Sequence, residues 1–471
     1  MPLLLAVQSE TTNQHGANSN DCYSGDSEGI LRKEKGSGVM ECVTFNSKNV
    51  LLGFNFDEIE VDEYWNRSSN KEARMHTIHN YPAKFPAFIA DKAIEYAMPY
   101  FDNTINKVSD VFCGCGTVAL ESRIHGIDFW GCDINPVATL IAKTKSEVYN
   151  VDILKKIEKR FALEIDSILL GRFDYSIANE RIKYWFNEGQ FIKLSAILKF
   201  IDQLPNSKYK QAFFCLFSSI LKATSNWLTK SIKPQIDPAK KPIDPIVAFK
   251  ESIDKFISIV EEGQVRNSAT IKIDNCNFIT KKKLPQVDLI ITSPPYVTSY
   301  EYADLHQLSS LWLGFTDDYK ELRKGTIGSV YNSEDYYFDL IDLNETAISV
   351  VQALYKAKSV GNAKTKSVAR YYVDMQVASK NCYRMLSENG ISIFIIGDTE
   401  YKGVKIENAK HLVESLLDAG FESIKVSKRR ISNKTLSPYR DEHGKFSSDE
   451  KKRKVYHEEY VIISHKRGQK K

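Results

Sequence analysis

Residues 108–133 constrain the fold most, because two short apolar runs flank a glycine-rich turn there. Residues 108–112 are predicted to form a buried strand, and residues 117–125 a helix that begins directly after the turn. A second strand over residues 129–132 ends on Asp133. Strand, turn, helix, strand and acid in this order predict one βαβ unit of a doubly wound α/β sheet.

Strands and helices alternate along the remaining chain, with one long exception. Residues 151–270 have a mostly helical period and predict a mainly helical subdomain inserted between sheet strands. The last two strands predict a terminal antiparallel hairpin on an otherwise mostly parallel sheet. These patterns divide the chain into four predicted segments. Residues 1–60 are a flexible N-terminal arm and residues 61–150 the first part of a catalytic domain. Residues 151–270 are the insertion, and residues 271–471 are the second catalytic part with a basic tail.

Composition excludes several classes of protein. The chain has 471 residues, of which 42% are hydrophobic and 26% charged, and no apolar run is long enough to span a membrane. Its eight cysteines are scattered without a Cys-x-x-Cys pair, which favours a reduced compartment and no metal site. The start MPLLLAVQSETT lacks a basic leader, so we expect a cytoplasmic protein. The net charge of +4 does not by itself identify a nucleic-acid binder.

The turn DVFCGCGT, residues 110–117, predicts a ligand site. Gly114 and Gly116 let the backbone approach a ligand, and the following helix N-terminus favours negative charge. Asp133 is placed to accept hydrogen bonds from two ribose hydroxyls. A tight turn packed only for structure is the alternative. A nicotinamide site is disfavoured, because no third glycine completes the G-x-G-x-x-G pattern.

A second motif, TSPPY, follows an apolar strand at residues 287–291. Two prolines fix this loop at the carboxyl edge of the sheet, where open α/β sheets bind ligands. The Ser293 hydroxyl and the carbonyls beside Pro294 and Pro295 are acceptors for an exocyclic amino group, and Tyr296 offers a ring for stacking on a base. A strand-ending turn with a core tyrosine is the alternative.

Together, DVFCGCGT, GCDINP, TSPPY and ENGISIFIIGD resemble the S-adenosylmethionine-dependent DNA amino-methyltransferases of restriction–modification systems, which modify cytosine-N4 or adenine-N6. The resemblance covers roughly residues 76–145 and 270–315, with weaker agreement over 373–465. It implies a Rossmann-like methyltransferase sheet. The segment HNYPAKFP, residues 79–86, is similar to the family's segment that closes over the methionine end of the cofactor.

The same resemblance implies S-adenosyl-L-methionine as cofactor, no metal, and a set of site residues. Asp133 would bind the ribose, and Asp274 or Asn275 would lie by the adenine. Lys84 is a further candidate, to face the cofactor carboxylate, with a merely solvated lysine as the alternative. The implied cofactor-binding residues are Lys84, Asp110, Phe112, Gly114, Gly116, Thr117, Asp133, Asp274 and Asn275. The implied catalytic loop is Ser293, Pro294, Pro295 and Tyr296.

The activity implied is site-specific methyl transfer to cytosine-N4 in double-stranded DNA, by base flipping and direct displacement. It would protect host DNA from a cognate restriction endonuclease, which shares the target site but need not bind. Relatives with this motif order usually carry Asp-Pro-Pro-Tyr and methylate adenine-N6, so that alternative stays open. An RNA amino-methyltransferase and a non-catalytic DNA-binding protein on the same scaffold are less expected.

Carbon-5 cytosine methylation is excluded, because it needs a Pro-Cys nucleophile and no proline here precedes a cysteine. Two regions carry more Lys and Arg than Asp and Glu, namely the insertion and residues 421–471, which contain KVSKRR and KKRK. Both are candidate surfaces for the DNA backbone. The insertion is also the candidate target-recognition region, and solvated charged ends are the alternative for the C-terminal run.

Overall fold

The computed structural model describes residues 42–66, 71–82, 84–263, 267–297, 301–329, 342–357, 360–431, 439–440, 446–447, 453–454 and 457–466. The strands are β1 Val43–Phe45, β2 Lys107–Asp110, β3 Asp128–Asp133, β4 Ile271–Asn275, β5 Val287–Thr292, β6 Leu386–Ile396, β7 Thr399–Tyr401, β8 Val404–Ile406, β9 Ser423–Arg430, β10 Tyr439–Arg440, β11 Phe446–Ser447, β12 Arg453–Lys454 and β13 Glu458–His465.

The helices are α1 Lys48–Gly53, α2 Ala87–Ala97, α3 Thr117–Ile124, α4 Pro136–Ser146, α5 Val151–Leu169, α6 Glu180–Trp185, α7 Glu188–Asp202, α8 Lys208–Ile220, α9 Pro245–Glu262, α10 Tyr302–Leu305, α11 Gln307–Trp312, α12 Glu345–Lys356, α13 Asn362–Met385 and α14 Asn408–Ala419. Local sequence explains where several begin. Before α4, for example, the Asn135 side chain accepts the N–H of Val137, and Pro136 occupies the first helical position.

The eight-stranded main sheet has the order β1-β9-β13-β6-β5-β2-β3-β4. Its five strands from β6 to β4 pair in parallel, whereas β13, β9 and β1 add antiparallel pairs at the other end. The β9–β13 pair is the predicted terminal hairpin. The prediction of a mostly parallel, Rossmann-like sheet is therefore confirmed.

Both faces of the sheet are covered by helices, as a doubly wound fold requires. Along β5, Leu289 faces a core shared with α2 and α3, whereas Ile290 faces a second core shared with α12, α13 and α14. This alternation follows from the two-residue period of a strand. Because both faces are buried, strands such as β6 carry apolar side chains on both faces, as in its mostly apolar ISIFII run.

Helices α5 to α9 lie in the chain between α4 and β4 and form a third core. Aromatic side chains such as Phe200 and Phe249 are fully buried there, and Val137 and Ile141 of α4 continue the same core. The insertion thus packs directly on a helix of the sheet domain. Among the described residues, no helix is long and apolar enough to span a membrane.

The N-terminal prediction needs a correction. Residues 1–41 lie outside the described residues, but residues 42–60 are ordered against the sheet. Strand β1 pairs with β9, and Phe45, Leu51 and Phe56 are buried. The prediction of a flexible arm is therefore wrong for residues 42–60, which are rich in apolar side chains, unlike the polar residues 8–38 before them.

Candidate active site

The glycine-rich turn joins β2 to α3 at the carboxyl edge of the sheet. The structure ends β2 at Asp110 rather than at Phe112, because the Asp110 carboxylate accepts the Phe112 N–H at 3.1 Å and turns the chain. Gly116 has φ +75°, and a Cβ added there would lie 2.6 Å from the Cβ of Ala142. Only glycine fits this close approach of α4.

Asp133, at the end of β3, is tied directly to this turn. One carboxylate oxygen accepts the Gly114 N–H at 2.9 Å, and the other accepts the Asn135 N–H at 2.8 Å. Burial raises the pKa of Asp133 to about 6. Each carboxylate oxygen has a second lone pair, so the group keeps acceptor capacity for hydroxyl donors beside the turn.

On the neighbouring strand β4, the two predicted residues have different contacts. The Asn275 amide donates to the carbonyls of Asp133 and Ile134 at 2.9 and 3.0 Å, and so fixes the end of β3. Asp274 instead accepts from Trp130 Nε1 and pairs with Lys281, both at 3.2 Å. Asn275 is therefore the one that contacts the residue predicted to bind the ribose.

Two further predicted residues line the same edge. The ring of Phe112 meets Phe278 edge to face, with centroids 6.1 Å apart. Thr117, the first residue of α3, is 2% exposed, and its hydroxyl has no hydrogen-bond partner among the described residues. A buried hydroxyl at a helix N-terminus suits an anionic or polar ligand group.

The catalytic loop predicted from TSPPY lies beside the glycine-rich turn. Strand β5 pairs with β2 and ends at Thr292, whose hydroxyl donates to the Asp110 carboxylate at 2.6 Å. Burial raises the pKa of Asp110 to about 7. The hydrogen bond joins the two motifs, so the structure brings Ser293 to Tyr296 next to the turn from Asp110 to Thr117.

The side chain of Tyr296 is held by a hydrogen bond at its hydroxyl and by the packing of its ring. Its hydroxyl donates to Glu459 at 3.0 Å, and Glu459 pairs with the guanidinium of Arg429, which is 2% exposed. Burial, with the Glu459 charge next, raises the pKa of the Tyr296 hydroxyl. A Cβ added at Gly397 would lie 3.3 Å from this ring, so the glycine lets the ring rest on the backbone after β6.

The segment at residues 79–86 approaches the same turn. Tyr81 lies within 4 Å of the position that a Cβ would take at Gly114. Its ring stacks on His306, with centroids 4.9 Å apart, and His306 Nδ1 lies 2.7 Å from the Asn135 amide. The segment therefore covers the turn through Tyr81, whereas Lys84 pairs with Glu72 at 2.9 Å.

Most of the predicted site residues thus converge on the carboxyl ends of β2, β3, β4 and β5. Sequence reasoning missed Glu459, Arg429 and His306. Glu459 and Arg429 are opposite each other in the β9–β13 register. A sequence pattern does not fix that register, although an acid directly before the apolar strand YVIIS was a usable signal.

The predicted C-terminal basic surface also needs a correction. Lys428 is 7% exposed and donates to the carbonyl of Asp57, and Arg429 is bound to Glu459. As a surface for the DNA backbone, the prediction is wrong for these two residues, because their charges are used inside the fold. The side chains of the KKRK run, residues 451–454, lie outside the described part of the chain.

Over most of its length, the chain is similar to several Type II methyltransferases. It is 24% identical to Type II methyltransferase M.MvaI of Kocuria varians, across 83% of this chain and 89% of that protein. With M.BsoBI of Geobacillus stearothermophilus it shares 23% identity, across 78% and 84%. With M.AvaI of Nostoc sp. it shares 23%, across 84% and 90%. The predicted resemblance to restriction–modification methyltransferases is confirmed.

No protein-family model matches the chain. Among solved structures, a SAM-dependent methyltransferase from Methanosarcina mazei aligns with a TM-score of 0.26 and 10% identity, across 78% of this chain and 96% of that one. At so low a TM-score, the fold assignment rests on the strand order of this chain and not on that alignment.

Proposed function

We propose that this homologue of Type II methyltransferases is a site-specific DNA methyltransferase that transfers a methyl group from S-adenosyl-L-methionine to cytosine-N4 in duplex DNA. The observation that carries the proposal is the hydrogen bond from Thr292 to Asp110. It holds a glycine-rich turn, suited to a nucleoside cofactor, against a loop suited to an amino group. The enzyme would work in the cytoplasm and protect host DNA from a cognate endonuclease.

The cofactor is S-adenosyl-L-methionine, and the residues of the turn fit it. When bound, it supplies a methyl group on a positively charged sulfur. Asp133 would accept the ribose hydroxyls, and Phe112 would border the adenine. The unpartnered hydroxyl of Thr117 would donate a hydrogen bond to the carboxylate of the cofactor, beside Tyr81. Lys84 remains a proposed partner for that carboxylate, and it would exchange Glu72 for it.

The loop from Ser293 to Tyr296 would hold the target base. A base inside a duplex is out of reach, so the enzyme would flip it, and the Tyr296 ring would stack on it. The same ring lies against Gly397. The Ser293 hydroxyl and the carbonyls beside the prolines would accept hydrogen bonds from the amino group, which orients the nitrogen lone pair. The rate then comes mainly from positioning.

Cytosine-N4 is favoured over adenine-N6 because Ser293 stands where adenine enzymes of this motif order usually carry aspartate. Serine changes the acceptor that meets the amino group, whereas motif order only describes the arrangement of the chain. Adenine-N6 remains the second candidate. The helical insertion is proposed to read the target sequence. It packs on helix α4, and α4 begins directly after Asp133 and Asn135 of the candidate site.

Methyl transfer to DNA tests the loop assignment. Ser293→Ala and Tyr296→Ala should each lower the transfer of tritium from labelled S-adenosylmethionine to duplex DNA by at least about a hundredfold, since each removes a contact to the reacting base. Tyr355→Ala is the matched control, because Tyr355 is 51% exposed on α12. Full transfer by both loop variants would overturn the assignment.

A further inference from the structure

A second pocket lies outside the site described above, between α6 and the chain that follows α11. Its volume is about 420 Å³. Polar and aromatic side chains dominate its lining, with Arg181 and Tyr184 from α6 and Tyr319 from the opposite wall. Nothing in the proposed chemistry uses these residues.

Arg181 is held rigidly in this pocket. Its guanidinium carbon lies 4.6 Å from the centroid of the Tyr184 ring and 5.6 Å from that of Tyr319. Its Nε donates to Gln307 at 2.7 Å, and Trp185 donates to the same oxygen at 3.0 Å. Among the described residues, nothing accepts a hydrogen bond from the two Nη groups of Arg181. A preorganised fork of donors is therefore left for a ligand.

The pocket is connected to the active site through α11. Gln307 is fully buried and directly follows His306. His306 contacts Asn135 beside the glycine-rich turn and stacks on Tyr81. Arg181 is therefore joined to the surroundings of the glycine-rich turn through the adjacent residues Gln307 and His306.

The charge of the pocket selects among possible ligands. Three carboxylates, of Glu180, Asp317 and Asp318, line it together with Arg181 and Lys320. This excess of negative charge disfavours a phosphate seated inside the pocket at the guanidinium of Arg181. The edge of a guanine is neutral and presents two acceptors, O6 and N7, with the spacing of a guanidinium fork. Tyr184 is 50% exposed, so this wall of the pocket reaches solvent.

We propose that Arg181 reads a guanine of the target sequence through O6 and N7 in the major groove. This inference rests on the proposed function, and it names the residue that gives the insertion its sequence specificity. Arginine bidentate to guanine discriminates strongly against other bases, whereas a phosphate contact would not.

The test replaces single guanines by 7-deazaguanine, which lacks the N7 acceptor. The target sequence is first found by mapping modified bases in DNA from cells expressing the full chain. The dissociation constant of each substituted duplex is then measured at fixed salt. For the unchanged protein, 7-deazaguanine at one particular position should weaken binding about fivefold to tenfold. Arg181→Gln and Arg181→Lys should weaken binding to unmodified DNA at least as much and show no further loss at that position.

Arg172→Gln is the matched control, because Arg172 is an exposed arginine of the same insertion, and it should keep the position-specific loss. Persistence of that loss in both Arg181 variants would overturn the proposal. Equal weakening at every position, with a smaller salt dependence, would also overturn it and indicate a phosphate contact. If the unchanged protein binds no duplex at all, the proposed function fails instead. Should both variants unfold, Tyr184→Leu, which removes the stacking ring, must reduce the position-specific loss.

Discussion

At the scale of single residues, Gly116 sets the tightest constraint in the candidate site. In Gly116→Ala the new Cβ would meet Ala142 at 2.6 Å from its Cβ and 2.7 Å from its Cα, at a φ of +75°. Backbone atoms of a helix cannot move aside, so we expect unfolding to become easier by at least about 3 kcal/mol, with loss of cofactor binding. Denaturant titration and calorimetry measure the two effects.

Gly403→Ala is the matched control for that substitution. Gly403 has a similar φ of +84°, but a Cβ there would meet nothing within 4 Å. Only the backbone cost remains, about 1 to 2 kcal/mol. Equal losses in the two variants would show that α4 does not press on the glycine-rich turn.

The buried pair of His76 and Glu121 predicts a pH effect. Burial lowers the pKa of His76 to about 2 and raises that of Glu121 to about 8, and the two side chains are 2.7 Å apart. The folded protein therefore holds a proton on Glu121 that the unfolded chain releases. The stability that the protonated Glu121 contributes is fully present below the pKa that Glu121 has in the unfolded chain. It is lost as the pH rises through the pKa that Glu121 has in the folded protein.

Glu121→Gln removes this titration. The free energy of unfolding of the variant should rise relative to that of the unchanged protein by about 1 kcal/mol per pH unit between pH 5.5 and 7.5. The other buried histidines are common to both proteins, so their titration cancels in the difference. A difference independent of pH would mean that Glu121 is ionised in the folded protein.

At the scale of elements, the contact between β2 and β5 holds the glycine-rich turn beside the loop from Ser293 to Tyr296. Thr292→Val keeps the shape of the side chain but removes the donor to the buried Asp110. We expect a loss of about 1 to 3 kcal/mol in stability and weaker cofactor binding. Thr292→Ser keeps the hydroxyl and should behave nearly like the unchanged protein. If the valine variant matches the serine variant, the hydrogen bond does not join the two motifs.

The first strand tests the corrected N-terminal segment. Phe45 is fully buried, and its ring lies 5.4 Å from Phe54 and 5.5 Å from Phe56, centroid to centroid. Phe45→Ala should cost about 3 to 5 kcal/mol, because it leaves a cavity among these rings. Unchanged stability in denaturant titration would restore the prediction of a flexible arm.

These elements show what the sequence could predict. The βαβ unit followed from local signals, since apolar period, turn glycines and Pro136 act over a few residues. The pairing of Glu459 with Arg429 depends on strand register, and the burial of Phe45 depends on β9, which lies far along the chain. Such long-range contacts leave no local period, so sequence reasoning placed Ser293 and Asp133 but missed the groups that hold Tyr296.

At the scale of the whole molecule, charge takes on a different meaning. The C-terminal run supplies much of the positive charge behind the net charge of +4. Within it, however, Lys428 and Arg429 are buried and form contacts inside the fold. The insertion contributes instead Arg181 to a pocket whose other wall, residues 311–320, carries the carboxylates of Asp317 and Asp318. The proposed recognition of DNA therefore depends on the donors of Arg181 more than on the total charge of the chain.

The identity of the methylated base decides whether this chain methylates cytosine-N4 in duplex DNA. Purified protein and tritiated S-adenosylmethionine are incubated with duplex DNA, the DNA is digested to nucleosides, and the labelled nucleoside is identified by chromatography. We expect label in N4-methylcytosine, and at least about a hundredfold less of it with Tyr296→Ala. Label only in N6-methyladenine would contradict the proposed role of Ser293, and no label in DNA from the unchanged protein would contradict the proposed function.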